Sequence, residues 1–468
     1  MSSPKRQPPR RAYSEQLAAW SGGFRLADAP REVIEATSRR VLDIVGVMIA
    51  SADHDSVRAA RRAQADVDGG GQGVWPYPRG EETSLAGAAF INGVASAVLE
   101  FDDTHIQTNI HPTGVIVAAT LPLAQKARLS GKQWLESVIV GCEILCRLGL
   151  VSPVRMHEVG MHPTSVYGVF GATYGVARLR GLDARTTVHA VGTAGSLSAG
   201  SIASFEDGTS TKTLHVGFAA AAAVRAAALA AAGISGPARI FEGKFGWFAS
   251  HIQSQPEFRF AELTDGLGQR WHSQDIAPKI YPCAYTLMPF IDAALQLWQQ
   301  GEIDPAAIRE IRCEIMPRSF RTVCEPLDEK RRPLTSWHGR ISLQHTVAEA
   351  LVLGRFDKHA YAPENLRDPT INALADKVVH IADPAAGADL TRSRGSVAIV
   401  YENGRTLSHT VDDMLGTSRN PANEADYVAK FRANVDGVIS NDAADRLVEG
   451  LLGIERQDVA NLLASPLR

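Results

Sequence analysis

From about residue 13 to residue 275, apolar positions recur at helical spacing almost without interruption. Val33, Ala36, Val41, Leu42, Val45 and Ile49 form one such stripe after Pro30, a residue suited to the first turn of a helix. Leu85, Ala88, Ala89, Ile91, Val94 and Val98 form another, with Ser84 placed to cap it. Ser130 with Gln133 makes a capping-box pattern ahead of WLESVIVGCEILCRLGL, and Asp183 stands in the equivalent place before ARTTVHAVGTAG. Ala and Gly fill many of these segments, which permits close helix–helix approach and a dense bundle. The run FAAAAAVRAAALAAAG (218–233) is the least polar, but Arg225 interrupts it and alanine is only marginally apolar. It is expected to be a packed internal helix and not a membrane span.

After about residue 275 the pattern changes. IREIRCEIMP (308–317) alternates apolar and polar residues, and DKVVHIAD (376–383) is a short β-branched run. RGSVAIVYENGRTLSHTV (394–411) reads as two strands about Asn403-Gly404, a dipeptide favoured in tight hairpin turns. QHTVAEALVLG (344–354) between them reads as helix. Beyond about 420 the helical period returns in NEADYVAKFRANVDGVIS and AADRLVEGLLGI. The expected fold is therefore mostly α with an α+β insertion. A helical domain over 13–275 is interrupted by an α+β lid over 276–412, and residues 413–468 return to the first domain.

With 468 residues the chain is long enough for two or three domains and a large core. A hydrophobic content of 45%, a charged content of 21% and a formal net charge of −3 describe an ordinary globular protein. No basic excess points to nucleic acid, and the first residues lack the apolar core expected of a secretory signal. MSSPKRQPPRR reads as a short disordered tail, and GGGQG (69–73), without the strand and spacing of a dinucleotide fingerprint, as a loop. Cys142, Cys146, Cys283, Cys313 and Cys324 are few and scattered, as expected for small buried side chains in a reducing cytoplasm.

Four stretches place chemically capable side chains beside small or apolar ones: EFDDTHIQTNIHP (100–112), VGMHPTSVYGVFGATYGVARL (159–179), FEDGTSTKTLHVGFAAAAA (205–223) and APKIYPCAYTLMPFIDAAL (277–295). The helix starts after His111, His162 and Thr213 offer free N–H donors and positive potential to an anion. Lys212 and Lys279 add full charges suited to carboxylates, and histidines exchange protons near neutral pH. Such a set is what a cofactor-free site for a polycarboxylic acid needs. Each piece also has a plainer reading. Asp102 or Asp103 alone reads better as a cap for loop N–H groups, His105 stands open between exposure and a site role, and either lysine could be a solvated charge. Asp103, His105 and His111 could ligate a metal, but no close-spaced pattern such as HExxH is present, and no metal is expected. Cys283 lies in an apolar context, and no Gly-x-Ser-x-Gly elbow occurs.

At these four stretches the sequence resembles the MmgE/PrpD family, whose members include 2-methylcitrate dehydratases, cis-aconitate decarboxylases and an iminodisuccinate epimerase. The resemblance spans about residues 15–455 and rests on FDDTH followed by HPTG, GMHPTSVYGVFGA, DGTSTKTLHVGFAA with GISGP and FEGKFGWF, and KIYPC followed by FIDAAL. It implies a large helical domain with a smaller α+β lid, pairing as a homodimer, and an active site between the domains without metal or organic cofactor. It places the family's acidic motif on Asp102 and Asp103 with Thr104 beside them, its histidines on His111 and His162, and its lysines on Lys212 and Lys279, with Tyr281 nearby. Many members carry a histidine shortly after the Tyr-Pro of the fourth motif. This chain reads CAYTLMPF there, so either Tyr285, or His345 reaching over from the lid, takes the role, or the chemistry is a different one such as epimerisation next to a carboxylate.

The expectation is a cytoplasmic, cofactor-independent lyase of a small di- or tricarboxylate, 2-methylcitrate dehydratase-like, that removes a proton α to a carboxylate with loss of water or CO₂. His111 and His162 transfer protons, Lys212 and Lys279 hold carboxylates or an enolate-like intermediate, and Asp103 with Thr104 orients substrate or a histidine. Asp102, His105, Tyr281, Tyr285 and His345 complete the expected substrate-binding set. Epimerisation of an amino- or imino-dicarboxylate on the same fold, or a carboxylate-binding scaffold without chemistry, are the alternatives.

Overall fold

The computed structural model describes residues 11–68, 74–253, 257–301, 303–385 and 392–464; the basic N-terminal tail up to residue 10 and the Gly-rich segment 69–73 lie outside the described residues. The fold is mostly α-helical with an α+β portion, as the periodicities predict. The long helices of the first part are Arg31–Ala50, Asp55–Asp68, Leu85–Ala97, Pro112–Lys126, Gly131–Val151, Pro163–Leu179 and His215–Ala231, joined by Glu424–Val435 and Asn441–Leu452 from the C-terminal end. Ser84 accepts from the Gly87 N–H, Asp183 from Thr186, and Ser130 with Gln133 closes a capping box, so these helix starts are set by local sequence.

The alanine-rich helix His215–Ala231 packs on Leu85–Ala97 and Pro163–Leu179. Gly93 and Gly217 allow this closeness: a Cβ on Gly93 would stand 2.5 Å from Gly217 Cα. Ser210–Ala231 is the one stretch among the described residues long and apolar enough to cross a membrane, and 67% of its apolar window is buried inside the protein. It is a core helix.

Two hydrophobic cores form. The first draws on residues from Leu17 to Ile276 and again on Phe431 to Leu463. The second runs from Ala277 to Met414 and contains the main sheet. Its order is β4–β3–β5–β6, where β3 is Ile308–Ile315, β4 Val378–Ala382, β5 Gly395–Tyr401 and β6 Thr406–Val411. β3 and β4 run parallel, and the other two pairings are antiparallel. The β5–β6 hairpin turns at Asn403-Gly404 as expected, with Gly404 at a φ of +85° and Asn403 Oδ1 accepting the Arg405 N–H at 2.9 Å. Helices Met288–Gln299 and Leu343–Leu353 pack against each other in this second core.

A two-stranded ribbon bridges the two parts. β1, Thr104–His105, pairs antiparallel with β2, Ile276–Ala277, in the register Thr104 with Ala277. It fastens the loop after the Leu85–Ala97 helix to the chain as it enters the second core. One expected boundary moves: the helix after Lys212 begins at His215, because residues 210–214 form a 3₁₀ turn first.

Candidate active site

Four chain segments meet where the two cores touch. The Leu85–Ala97 helix gives way to a loop in which Glu100 takes a left-handed φ of 51°, unusual for a side-chain-bearing residue. This turn sends the Glu100 carboxylate inward, where it is buried. The β1–β2 ribbon then sets Lys279, two residues beyond β2, beside the same loop. Lys212 arrives on the 3₁₀ turn that the Gly93–Gly217 contact holds against this loop.

The result is a buried cluster of four charges. Glu100 Oε1 accepts from Lys212 Nζ, and Glu100 Oε2 accepts from Lys279 Nζ at 3.2 Å. Lys279 Nζ also donates to Asp102 Oδ1 at 3.4 Å. Burial opposes ionisation of Glu100, yet the Lys212 and Lys279 charges prevail and hold its carboxyl well below the usual range. Burial likewise works against the Lys279 charge, but Glu100 and Asp102 raise its pKa above the ordinary lysine value. Neither lysine is the solvated surface charge that each could have been.

Histidines form the facing wall. His111 and His162 each precede a helix that has proline in its first turn, Pro112–Lys126 and Pro163–Leu179. Their rings lie 6.1 Å apart. His111 Nδ1 is 2.8 Å from the Asp103 carbonyl and 3.0 Å from Thr104 Oγ1. A carbonyl only accepts, so Nδ1 carries the proton and Nε2 is left with its lone pair. Desolvation and the Lys279 charge, with a smaller push from Lys212, bring the His111 pKa down to about 4 against the pull of Asp102 and Glu100. It is a neutral imidazole at neutral pH. His162 is buried, and its pKa is pushed well down by desolvation and by Lys212. Two further rings flank it, His215 at 5.2 Å and His157 at 6.5 Å. Desolvation lowers both of these to about 4.

The second core closes over this arrangement. Arg340 Nη1 donates to the Leu99 carbonyl at 2.7 Å and to the Pro282 carbonyl at 2.8 Å, tying the start of the acidic loop to the Lys279 segment. Thr335 Oγ1 donates to the Gly208 carbonyl at 3.1 Å, and Phe205 meets Trp337 edge-on at 5.2 Å. These contacts clamp the segment that carries Lys212.

Among the expected site residues, Asp102, Thr104, His111, His162, Lys212 and Lys279 come together. Asp103 contributes its carbonyl to His111, but its buried Oδ1 turns toward the helix start and accepts the Thr113 N–H at 3.2 Å. It caps a helix, and desolvation raises its carboxyl to about 7. His105 is not solvent-exposed: it is buried, with Nδ1 2.8 Å from Thr108 Oγ1, on the strand position next to Thr104. Tyr281, Tyr285 and His345 are placed elsewhere. The Tyr281 hydroxyl donates to Asp292 at 3.0 Å, the Tyr285 hydroxyl faces Ser393 and Asp413, and His345 Nε2 pairs with Glu349 at 3.1 Å. All three belong to the second core, because the apolar positions around them point into it. The contacts of Tyr285 and His345 are with second-core groups and not with the lysine–histidine cluster.

Glu100 and His157 join the site without being singled out in the sequence, and His215, at the mouth of the alanine helix in the third stretch, joins them. Glu100 opens the EFDDTH motif and His215 follows Lys212 by one helical turn, so both had a signal in spacing. His157 precedes a loop and had none. Among the described residues no group of three or more His, Cys, Asp or Glu side chains is arranged to hold a metal. Cys283 lies near Lys279, but burial pushes its thiol far up, so it is no ready thiolate.

Comparison with known families gives two matches that together cover most of the chain. The MmgE/PrpD N-terminal domain matches residues 15–259, and the MmgE/PrpD C-terminal domain matches residues 281–452. The chain belongs to the MmgE/PrpD family. Relatives in this family include the human cis-aconitate decarboxylase, 24% identical over 470 residues that cover 98% of this chain and 95% of that one. The cis-aconitate decarboxylase-like protein oryM of Aspergillus oryzae is 24% identical over 482 residues, 97% of each chain. The 2-methylcitrate dehydratase of Salmonella typhimurium is 26% identical over 373 residues, 74% of each chain. The MmgE/PrpD N-terminal match carries Glu100, the histidine wall and Lys212, and Lys279 falls between the two matched domains.

Proposed function

We propose that the protein is a cofactor-independent lyase of a small di- or tricarboxylate, losing CO₂ or water from the bound acid. The observation that carries this reading is the convergence of two buried ammonium groups with neutral histidines at one place between the cores. Each ammonium has more N–H donors than its contacts to Glu100 and Asp102 use, so a substrate carboxylate finds donors there without displacing either acid. His111 presents an unprotonated Nε2 and serves as the base toward a carbon next to a carboxylate. The electron pair left on that carbon spreads into the carboxylate, which the two ammonium groups stabilise in water-poor surroundings. In dehydration the hydroxyl on the neighbouring carbon leaves with a proton supplied from the His162 side. In decarboxylation the C–CO₂ bond breaks instead, and the carbanion is protonated from that side.

The relatives matched along nearly their whole length are named for decarboxylation and those matched over less of it for dehydration, which favours CO₂ loss between the two. A second reading, epimerisation of an amino- or imino-dicarboxylate, draws support from the two neutral imidazoles facing one space, since that reaction needs a proton acceptor on each side and no leaving-group acid. Proton NMR of the purified protein against di- and tricarboxylates in D₂O separates them. New alkene signals with release of CO₂ or water are expected. Deuterium uptake at the α-carbon without net elimination would establish the epimerase, and no change with any acid would sink both.

A further inference from the structure

The His162–His215 contact is unusual in its atoms. His215 Nδ1 lies 3.2 Å from His162 Nδ1, so two nitrogens of the same kind meet, and a hydrogen bond between them needs a single proton on one ring or the other. Either ring can hold it. If His162 holds it, its Nε2 is a bare lone pair like that of His111. If His215 holds it, His162 carries its proton on Nε2 and becomes a hydrogen-bond donor.

The surroundings limit the choice further. Lys212, His111, His157 and His215 all lower the basicity of His162, and desolvation does so most. On His215 the same two influences, desolvation and Lys212, act. The imidazolium of His162 is therefore disfavoured at neutral pH, and a donor on that side must be a neutral ring with its proton on Nε2. A neutral imidazole acting as the electrophilic partner of a separate base has precedent in enzyme chemistry. The position of both rings is held by backbone. The His162 N–H donates to the Gly200 carbonyl at 2.8 Å, and Ser165 Oγ donates to the Ala199 carbonyl at 2.5 Å and reaches the His215 carbonyl at 3.3 Å. Gly200 has a φ of +144°, and a Cβ there would stand 2.8 Å from Ser165 Cβ and 3.6 Å from His215 Nδ1. The Ala199–Gly200 turn thus fits closely around the pair.

We propose that His215 is a positioning residue that donates its Nδ1 proton to His162 Nδ1, and so fixes His162 as the Nε2–H donor opposite the base His111. This rests on the lyase reading, in which loss of water or of CO₂ alike needs a proton donor on the His162 side of the substrate. His215 needs no contact with substrate to do this. It decides which of two chemically distinct faces His162 shows.

The test begins with the resting full-length protein carrying isotope-labelled histidine, with His162 assigned by comparison with the His162→Gln spectrum. A pyridine-like Nδ1 and pyrrole-like Nε2 on His162 are expected in ¹⁵N NMR. A pyrrole-like Nδ1 overturns the proposal, whatever the substrate proves to be. Failure of the lyase reading shows up separately, as absence of elimination in the D₂O screen. Two variants then read the consequence. His215→Leu removes the donor and is expected to lower kcat by about 100-fold, in the range of a lost acid–base contribution, with KM little changed. His215→Asn restores an N–H near the old Nδ1 and is expected to recover most of kcat. Equal losses in both variants, with both folded by circular dichroism, overturn the proposal as well.

Discussion

Two buried ion clusters in this protein look alike in a list of charges and differ in what surrounds them. In the first, Glu143 and Arg147 pair at 2.7 Å on the Gly131–Val151 helix, with no exposed side-chain surface. Arg147 also donates to the carbonyls of Glu262 and Asp265 at 2.9 Å each and of Arg270 at 2.7 Å. Glu143 accepts the N–H of His272 at 3.2 Å and of Ser273 at 2.9 Å. The planar guanidinium is used up by fixed backbone groups, and the cluster stitches residues 262–273 to the helical core. In the second, Glu100 and Asp102 of one loop meet Lys212 and Lys279 from two other chain segments, and the ammonium groups keep donors in reserve. Burial of charge alone does not mark a site. Unspent hydrogen-bonding capacity beside groups that move protons does.

The comparison breaks most readily at Arg147. Arg147→Met leaves the Glu143 charge buried without its partner and is expected to cost about 3–5 kcal/mol of unfolding free energy, measured by urea denaturation. The folded fraction should keep its turnover; a loss of kcat without loss of stability would make this cluster functional after all. Lys212→Ala is the converse. Turnover should fall by about 10²–10³-fold, as for loss of one electrostatic stabiliser. The fold should persist, because Glu100 retains Lys279. Full activity in that variant would remove Lys212 from the site.

A finer contrast lies within the acidic loop itself. Glu100 is held below the ordinary carboxylate range, so its ion pairs support the fold above a pH of about 4.5, the unfolded value, and that support is lost as the pH falls through the folded value. Asp103 has the opposite sign. Its folded carboxyl titrates at about 7 against 3.8 unfolded, so its contribution is full below 3.8 and lost as the pH rises toward 7. Asp103→Asn should therefore flatten the decline in melting temperature across that interval, while Glu100→Gln should flatten the acid side. The same slope in both variants and in the parent protein would show that the loop does not separate the two groups as described. The smallest effect is expected at His345. His345→Gln can keep a hydrogen bond to Glu349 within the second core and should leave turnover unchanged in a steady-state assay. A large drop in kcat would return His345 to the site.

Much of the fold was legible in order. Helical periods, caps at Ser84, Ser130 and Asp183, and the Asn403-Gly404 hairpin are decided by residues close in sequence, and the structure follows them. The site was legible in part. Asp102, Thr104, His111, His162, Lys212 and Lys279 stand in motifs where polar groups interrupt small-residue helices, and such interruptions are visible along the chain. Tyr281, Tyr285 and His345 looked equally suitable, but nothing local reveals that their segments bury them in the second core instead. Their orientation depends on which core claims the neighbouring apolar residues.

The sequence by itself determined which side chains were available, where the helices start, and that two kinds of periodicity divide the chain. Only the tertiary structure decided that Glu100 bridges both lysines, that a carbonyl fixes the His111 tautomer, and that His162 faces His215 nitrogen to nitrogen. The reason is physical. Caps and turns are made by groups a few residues apart, whereas the Glu100 ion pairs join partners over 100 positions apart, and the protonation of the histidines depends on surroundings that the packed fold has emptied of water.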